Sequence, residues 1–106
     1  MNRGERRALR HYRLRGYRLL EANARAGGYE LDLILRRGQR VLVVEVKEKG
    51  GDDFGHPLEM IDVEKVRRVT LAARAWLAAR PELAGLEVEL EAAGVRGRRV
   101  ERVPLV

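Results

Sequence analysis

Two apolar stretches of the chain are interrupted by charged residues at regular spacing. Glu30 and Asp32 break the run Tyr29-Glu30-Leu31-Asp32-Leu33-Ile34, and Glu45 and Lys47 break Val43-Val44-Glu45-Val46-Lys47. Asp is poorly suited to strands, and ionised groups beside a core are unfavourable unless something pairs with them. Read with period two, Glu30, Asp32 and Ile34 fall on one face of a strand, with Leu31, Leu33 and Leu35 on the other. In the next strand Val43, Glu45 and Lys47 share a face, with Leu42, Val44 and Val46 behind.

The link between the two stretches sets their geometry. An even hairpin loop built on Gly38-Gln39 pairs positions whose numbers sum to 77, which brings Asp32 opposite Glu45 and Glu30 opposite Lys47. Directly opposed side chains have Cβ atoms ~4.5–5.5 Å apart. Two carboxylates that close repel unless a cation lies between them, and a hard oxygen site suits Mg²⁺ or Mn²⁺. An odd loop would send the two carboxylates to opposite faces. The competing reading is an ion-pair ladder in which Lys47 serves Glu30 and Glu45 on a solvent-facing sheet. Glu5 bears on the choice, because it precedes Leu9 by one helical turn and lies on an apolar stripe. Its ordinary explanation is an acid placed at a helix N-terminus.

The elements that must position these residues follow from periodicity and punctuation. A helix is predicted from Arg3 to Arg15, with Ala8, Leu9 and Tyr12 as its stripe and Gly16 as its stop. Strands are predicted over Tyr17–Asn23, Tyr29–Arg36 and Val41–Lys49. A polar loop is predicted over residues 50–57. A second helix runs from an Asp62 N-cap to Arg80, before Pro81, with Val66, Val69, Ala73, Trp76 and Leu77 inward. Leu86–Ala92 alternates, with Leu86, Val88, Leu90 and Ala92 inward and Glu87, Glu89 and Glu91 outward, and Arg98–Val103 is a last strand. The order αβββαββ describes a single α/β domain over residues 1–106 with a mixed sheet flanked by helices.

Composition narrows the chemistry. The 106 residues contain no cysteine and no serine, and Thr70 is the lone threonine, which excludes disulfides, thiolate sites and serine or cysteine hydrolase chemistry. With no cysteine and only His11 and His56, a zinc site is not expected. No apolar run reaches the ~20 residues of a membrane span, and the N-terminus does not read as a secretory signal, so a cytoplasmic protein is expected. The net charge of +6 is concentrated. The first 25 residues carry eight arginines against Glu5 and Glu21, and the remainder is neutral. Such a basic end suits nucleic acid. Arg6, Arg10 and Arg13 recur at helical spacing and are the expected phosphate contacts, with an Arg-rich solvated helix as the alternative.

Taken together, Gly4-Glu5, Tyr12, Gly16-Tyr17, Asn23, Glu30-Leu31-Asp32, Val44-Glu45-Val46-Lys47 and Phe54-Gly55-His56-Pro57 through Asp62 to Lys65 resemble the YraN-like family of bacterial proteins. That family is similar to the restriction-endonuclease-like superfamily, which also includes archaeal Holliday junction resolvases. The resemblance implies an αβββαβ core with an Asp…Glu-x-Lys metal site and a metal-dependent endonuclease acting on DNA. By position it makes Asp32, Glu45 and Lys47 the catalytic core, Glu5 the helix acid, and Lys65 the basic residue early in the second helix. The chain departs from the family pattern at Tyr29, where Gly is usual, at Glu48-Lys49 for Thr-Arg, at Ala24 for Trp, and at Glu89-Leu90-Glu91 for Arg-Phe-Asp. These changes spare the metal ligands and fall on substrate contacts.

On that reading Asp32, Glu45 and the Val46 carbonyl would hold one or two Mg²⁺ or Mn²⁺ ions, and Glu5 would act through water. Lys47 would orient the attacking water or neutralise transition-state charge. Lys65 and His56 would contact nucleic acid, and the loop at residues 50–61 would meet substrate. Cutting both strands of a duplex would favour a homodimer. The alternatives are a nucleic-acid-binding module that keeps the fold without turnover and an interaction protein with a charged sheet face.

Overall fold

Asn2 starts the first helix, α1 (Arg3–Arg13), with a reciprocal cap: the Glu5 N–H donates to Asn2 Oδ1 at 2.8 Å, and the Asn2 N–H donates to Glu5 Oε1 at 2.9 Å. These features come from a computed structural model of the chain, which describes residues 1–48 and 62–105. The helix is shorter than predicted. It is capped at Leu14, and Gly16 turns the chain with φ +88°, a conformation that glycine adopts without a Cβ penalty.

Three antiparallel strands follow: β1 (Arg18–Ala26), β2 (Tyr29–Arg37) and β3 (Arg40–Glu48). A second helix, α2 (Val63–Ala78), begins where Asp62 accepts the Lys65 N–H at 2.9 Å. After a 3₁₀ turn at Pro81–Leu83 come β4 (Glu87–Arg96) and β5 (Arg99–Pro104). The five strands lie in chain order; β3 pairs with β4 in parallel and the other pairs are antiparallel. Parallel neighbours need a crossover, and α2 belongs to the segment that makes it. One helix covers each face. α1 packs Ala8, Leu9 and Tyr12 on Leu33, Leu35, Leu42 and Val44. α2 packs Val69, Ala72, Ala73 and Trp76 on Ile34, Val41 and Val43. The middle strands are therefore apolar on both faces, as strands covered on both sides must be.

The β2–β3 register follows the even-loop rule from Arg37↔Arg40 to Leu33↔Val44, with Gly38-Gln39 as the turn. Alternation does not continue past that point. Leu31 packs on the α2 side with Ile34, whereas Leu33 and Leu35 pack on the α1 side. The cause lies in β1, where Asn23 has φ +51°, the one described non-glycine residue in the left-handed region. Asn tolerates that conformation better than most side chains. Across it Ala22 pairs with Leu33 on the α1 face, and Ala24 pairs with Leu31 on the α2 face. Both strands change face together.

Two expectations for β4 are corrected. Val88 is exposed because α2 packs against β1 and β2, away from that end of the sheet. Glu91 is buried, because Tyr12 Oη and Arg102 Nε each donate to its Oε1 at 2.6 Å.

Candidate functional site

Strand β2 leaves the β3 ladder at Asp32, and its carboxylate takes over from the backbone. Asp32 Oδ2 accepts the Val46 N–H at 2.8 Å. In an extended strand the N–H and C=O of one residue leave on the same side, so the Val46 carbonyl also points toward β2. Burial raises the Asp32 pKa to about 7, with the charges of Glu45 and then Glu5 adding to the effect. The charges of Asp32 and Glu45 act on one another, but the expected pairs Asp32 with Glu45 and Glu30 with Lys47 are not part of the β2–β3 ladder, which ends at Leu33↔Val44.

Glu45 is almost fully buried. Its Oε2 accepts from the Tyr29 hydroxyl at 3.0 Å and lies 3.7 Å from Lys65 Nζ. Its Oε1 is buried and has no hydrogen-bond partner among the described residues. Burial raises the Glu45 pKa, while Tyr29 and Lys65 draw it back. Leaving a buried carboxylate oxygen unmatched is costly, so this atom calls for a partner beyond the side chains around it.

Lys47, two residues along on the same face, lies beside Lys65. Burial lowers its pKa, and the adjacent ammonium lowers it further. Lys65 has a raised pKa in spite of its burial, because Lys47, Tyr29 and Glu45 favour its charged form. Among the described residues the ion-pair ladder does not form. The Glu45 partner is Lys65 from α2, and Glu30 turns to Arg25 (3.9 Å) and to the Asn23 amide (3.1 Å).

Glu5 reaches this region from α1. It is buried, and besides closing the helix cap it accepts from Asn23 Nδ2 at 3.2 Å on both oxygens. Gly4 makes the approach possible. A Cβ there would lie 3.1 Å from the Glu48 Cβ on β3. The helix acid, the β2 acid and the β3 acid thus gather where the sheet opens. Among the described residues, no three His, Asp or Glu side chains come together tightly enough to enclose an ion by themselves. Two carboxylates and a carbonyl suit an ion that keeps several waters, as Mg²⁺ does, and the free Glu45 Oε1 fits such an occupant.

Arg6, Arg10 and Arg13 are exposed and line a shallow groove along α1 with Met1, Leu9 and Leu14. His56, Phe54 and the predicted substrate loop lie outside the described residues. Two contributors were missed from the sequence. Asn23 supports Glu5, and its signal is an Asn in the middle of a strand. Tyr29 orients Glu45, and its signal is the departure from Gly at that position. Among the described residues, no helix is long and apolar enough to cross a membrane.

A mixed five-stranded sheet with one helix on each face is an α/β architecture consistent with a restriction-endonuclease-like core, and Asp32, Glu45 and Lys47 lie together where the β2–β3 ladder ends. The chain belongs to the UPF0102 family, whose description reads "Uncharacterised protein family UPF0102" and whose model matches residues 4–102. A UPF0102 protein of Alkalilimnicola ehrlichii is 46% identical over 76 residues, covering 72% of this chain and 60% of its own. One from Methylorubrum extorquens is 44% identical over 89 residues, covering 84% and 68%. One from Persephonella marina is 36% identical over 88 residues, covering 83% and 75%. The matched segment thus spans between three fifths and three quarters of these relatives.

Proposed function

We propose that the protein is a metal-dependent nuclease that hydrolyses phosphodiester bonds in nucleic acid, with DNA as its expected substrate. The observation that carries this reading is Glu45 Oε1, buried and unpartnered among the described residues, beside a second carboxylate at Asp32. Asp32, Glu45 and the Val46 carbonyl would hold Mg²⁺ or Mn²⁺. A divalent ion there supplies Lewis acidity to a phosphate and a more acidic water.

The chain's own residues provide the rest. Tyr29 and Lys65 fix one oxygen of Glu45, so that the other is presented in one orientation. Lys47, with its lowered pKa, is suited to exchange a proton with the attacking water or to offset charge on the phosphate. Asn23 and the helix cap hold Glu5 at the margin of the site. Arg6, Arg10 and Arg13 would hold backbone phosphates without reading sequence.

Calorimetric titration with Mn²⁺ and a plasmid-nicking assay in Mg²⁺ test this. The wild type should bind the ion and nick DNA, while Asp32→Asn and Glu45→Gln should lose both and keep an unchanged circular dichroism spectrum. A wild type whose melting temperature ignores divalent ions would refute the metal site. A second reading, a nucleic-acid-binding module without turnover, is favoured by the exposed row Arg6, Arg10 and Arg13. It requires salt-sensitive binding with no cleavage in any divalent ion.

A further inference from the structure

Several arginines outside α1 sit against a carboxylate. Arg40 pairs with Glu87 and Glu89, Arg67 and Arg68 with Glu64, Arg80 with Glu21, and Arg102 with Glu91. A groove of about 470 Å³ between α1 and the start of β5 is different. It is lined by Arg7, Arg10, Arg15 and Arg98, together with His11, Leu14 and Val100, and no acidic residue lines it. None of these four arginines forms an ion pair among the described residues.

Two of them are oriented in advance. Arg7 Nη1 donates to the Gly97 carbonyl at 2.6 Å, bridging α1 to the β4–β5 turn, and Arg15 Nη1 donates to the His11 carbonyl at 2.9 Å. Each keeps further N–H groups for an acceptor, and a guanidinium already held in place loses less entropy on binding. The groove also has an apolar side. Leu14, the cap residue at the end of α1, is 71% exposed, and Val100 lines the same groove. His11 on the groove wall has a lowered pKa, from burial first and then from the charges of Arg15 and Arg102, with Glu91 opposing.

We propose that the groove between α1 and β5 binds the phosphodiester backbone of one unpaired nucleic-acid strand. Guanidinium groups meet successive phosphates, and Leu14 and Val100 meet a sugar or base face. A concave, arginine-lined channel with an apolar wall accommodates a single strand, the arrangement by which such strands are held without sequence preference. The inference rests on the reading that this chain acts on nucleic acid, and it adds a second contact surface and a strand preference.

Fluorescence anisotropy with a short labelled oligothymidylate, in chelator and across a salt series, tests it. Arg15→Gln with Arg98→Gln should lower the slope of log K against log salt by about 1.4, from about 0.7 per lost phosphate contact on a single strand. Arg67→Gln with Arg68→Gln removes the same charge from α2 and should leave the slope near that of the wild type. Leu14→Glu, at an exposed position that does not support the core, should weaken binding without lowering the melting temperature. Equal losses in both double variants, an unchanged slope in Arg15→Gln/Arg98→Gln, or equal competition by blunt duplex or by phosphatidylglycerol vesicles would overturn the proposal. Because binding is read without divalent ions, the two readings separate. Groove-dependent binding without any cleavage would refute the nuclease alone, and cleavage with groove-independent binding would refute the groove alone.

Discussion

The Tyr29 hydroxyl donates to Oε2 of Glu45 at 3.0 Å, while Oε1 of the same carboxylate is buried without a hydrogen-bond partner among the described residues. Tyr29 opens β2 and Glu45 lies in the middle of β3, so the bond also ties the two strands where their ladder has ended. Removing the hydroxyl with Tyr29→Phe should loosen Glu45, which keeps the ion pair with Lys65 at 3.7 Å and the Asp32 backbone N–H beside it. A supporting group of this kind changes metal affinity by about 10–100-fold. The expected outcome is weaker Mn²⁺ binding by calorimetry with little change in thermal stability, and an unchanged affinity would mean that Tyr29 serves packing alone.

The pH dependence of stability should carry the mark of Asp32. Its carboxyl titrates at about 7 in the fold, against an ordinary value of 3.8, because it is buried and faces Glu45. Between those values the unfolded chain gives up a proton that the native chain keeps. Stability therefore falls as pH rises from about 4 to about 7, by linkage. Glu45, shifted in the same direction, adds to the trend. In chelator the wild type should melt at a higher temperature at the acid end of this window than above it. Asp32→Asn should flatten the profile, and divalent ion added above pH 7 should recover stability in the wild type alone.

Gly4 sets how closely α1 lies on β3. A methyl group at that position would press on the Glu48 Cβ at 3.1 Å, which is main-chain-linked and cannot swing aside. Gly4→Ala should cost about 1–3 kcal/mol, as overpacking does, despite the better helix propensity of alanine. It should also move Glu5 away from Asn23. A stabilised Gly4→Ala variant would show that the contact relaxes freely.

Much of this arrangement was legible in the sequence, and the residues that were not share a cause. The β2–β3 register could be derived because the Gly38-Gln39 turn leaves an even loop and the strands between Leu33 and Val44 alternate regularly. Asp62 announced the start of α2 by its type and position. Alternation then misplaced Leu31, because a period-two rule assumes an unbroken strand and Asn23 breaks it from the neighbouring strand. The Glu45 partner was sought on β2 and β3, where spacing can be counted. Lys65 comes instead from α2 across the crossover, a proximity that local periodicity does not encode. Glu91 looked solvent-facing by the same counting, and only the packing of Tyr12 and Arg102 explains its burial.

The parallel pairing of β3 with β4 has a kinetic consequence. The meander from β1 to β3 joins neighbours in sequence, whereas β4 aligns with β3 only after the long crossover has closed, from Arg40↔Glu87 through Glu48↔Val95. Distant contacts of this kind form slowly because loop closure must precede them. The hairpin core should act as the folding nucleus, and β4 should join afterwards. Truncating Leu33 or Leu42 should then slow folding, while truncating Val95 should chiefly speed unfolding, as stopped-flow measurements would reveal. Glu45 takes its ion-pair partner Lys65 from α2 within that same crossover, so its surroundings should be completed late, after the hairpin that carries Asp32 and Glu45 has formed.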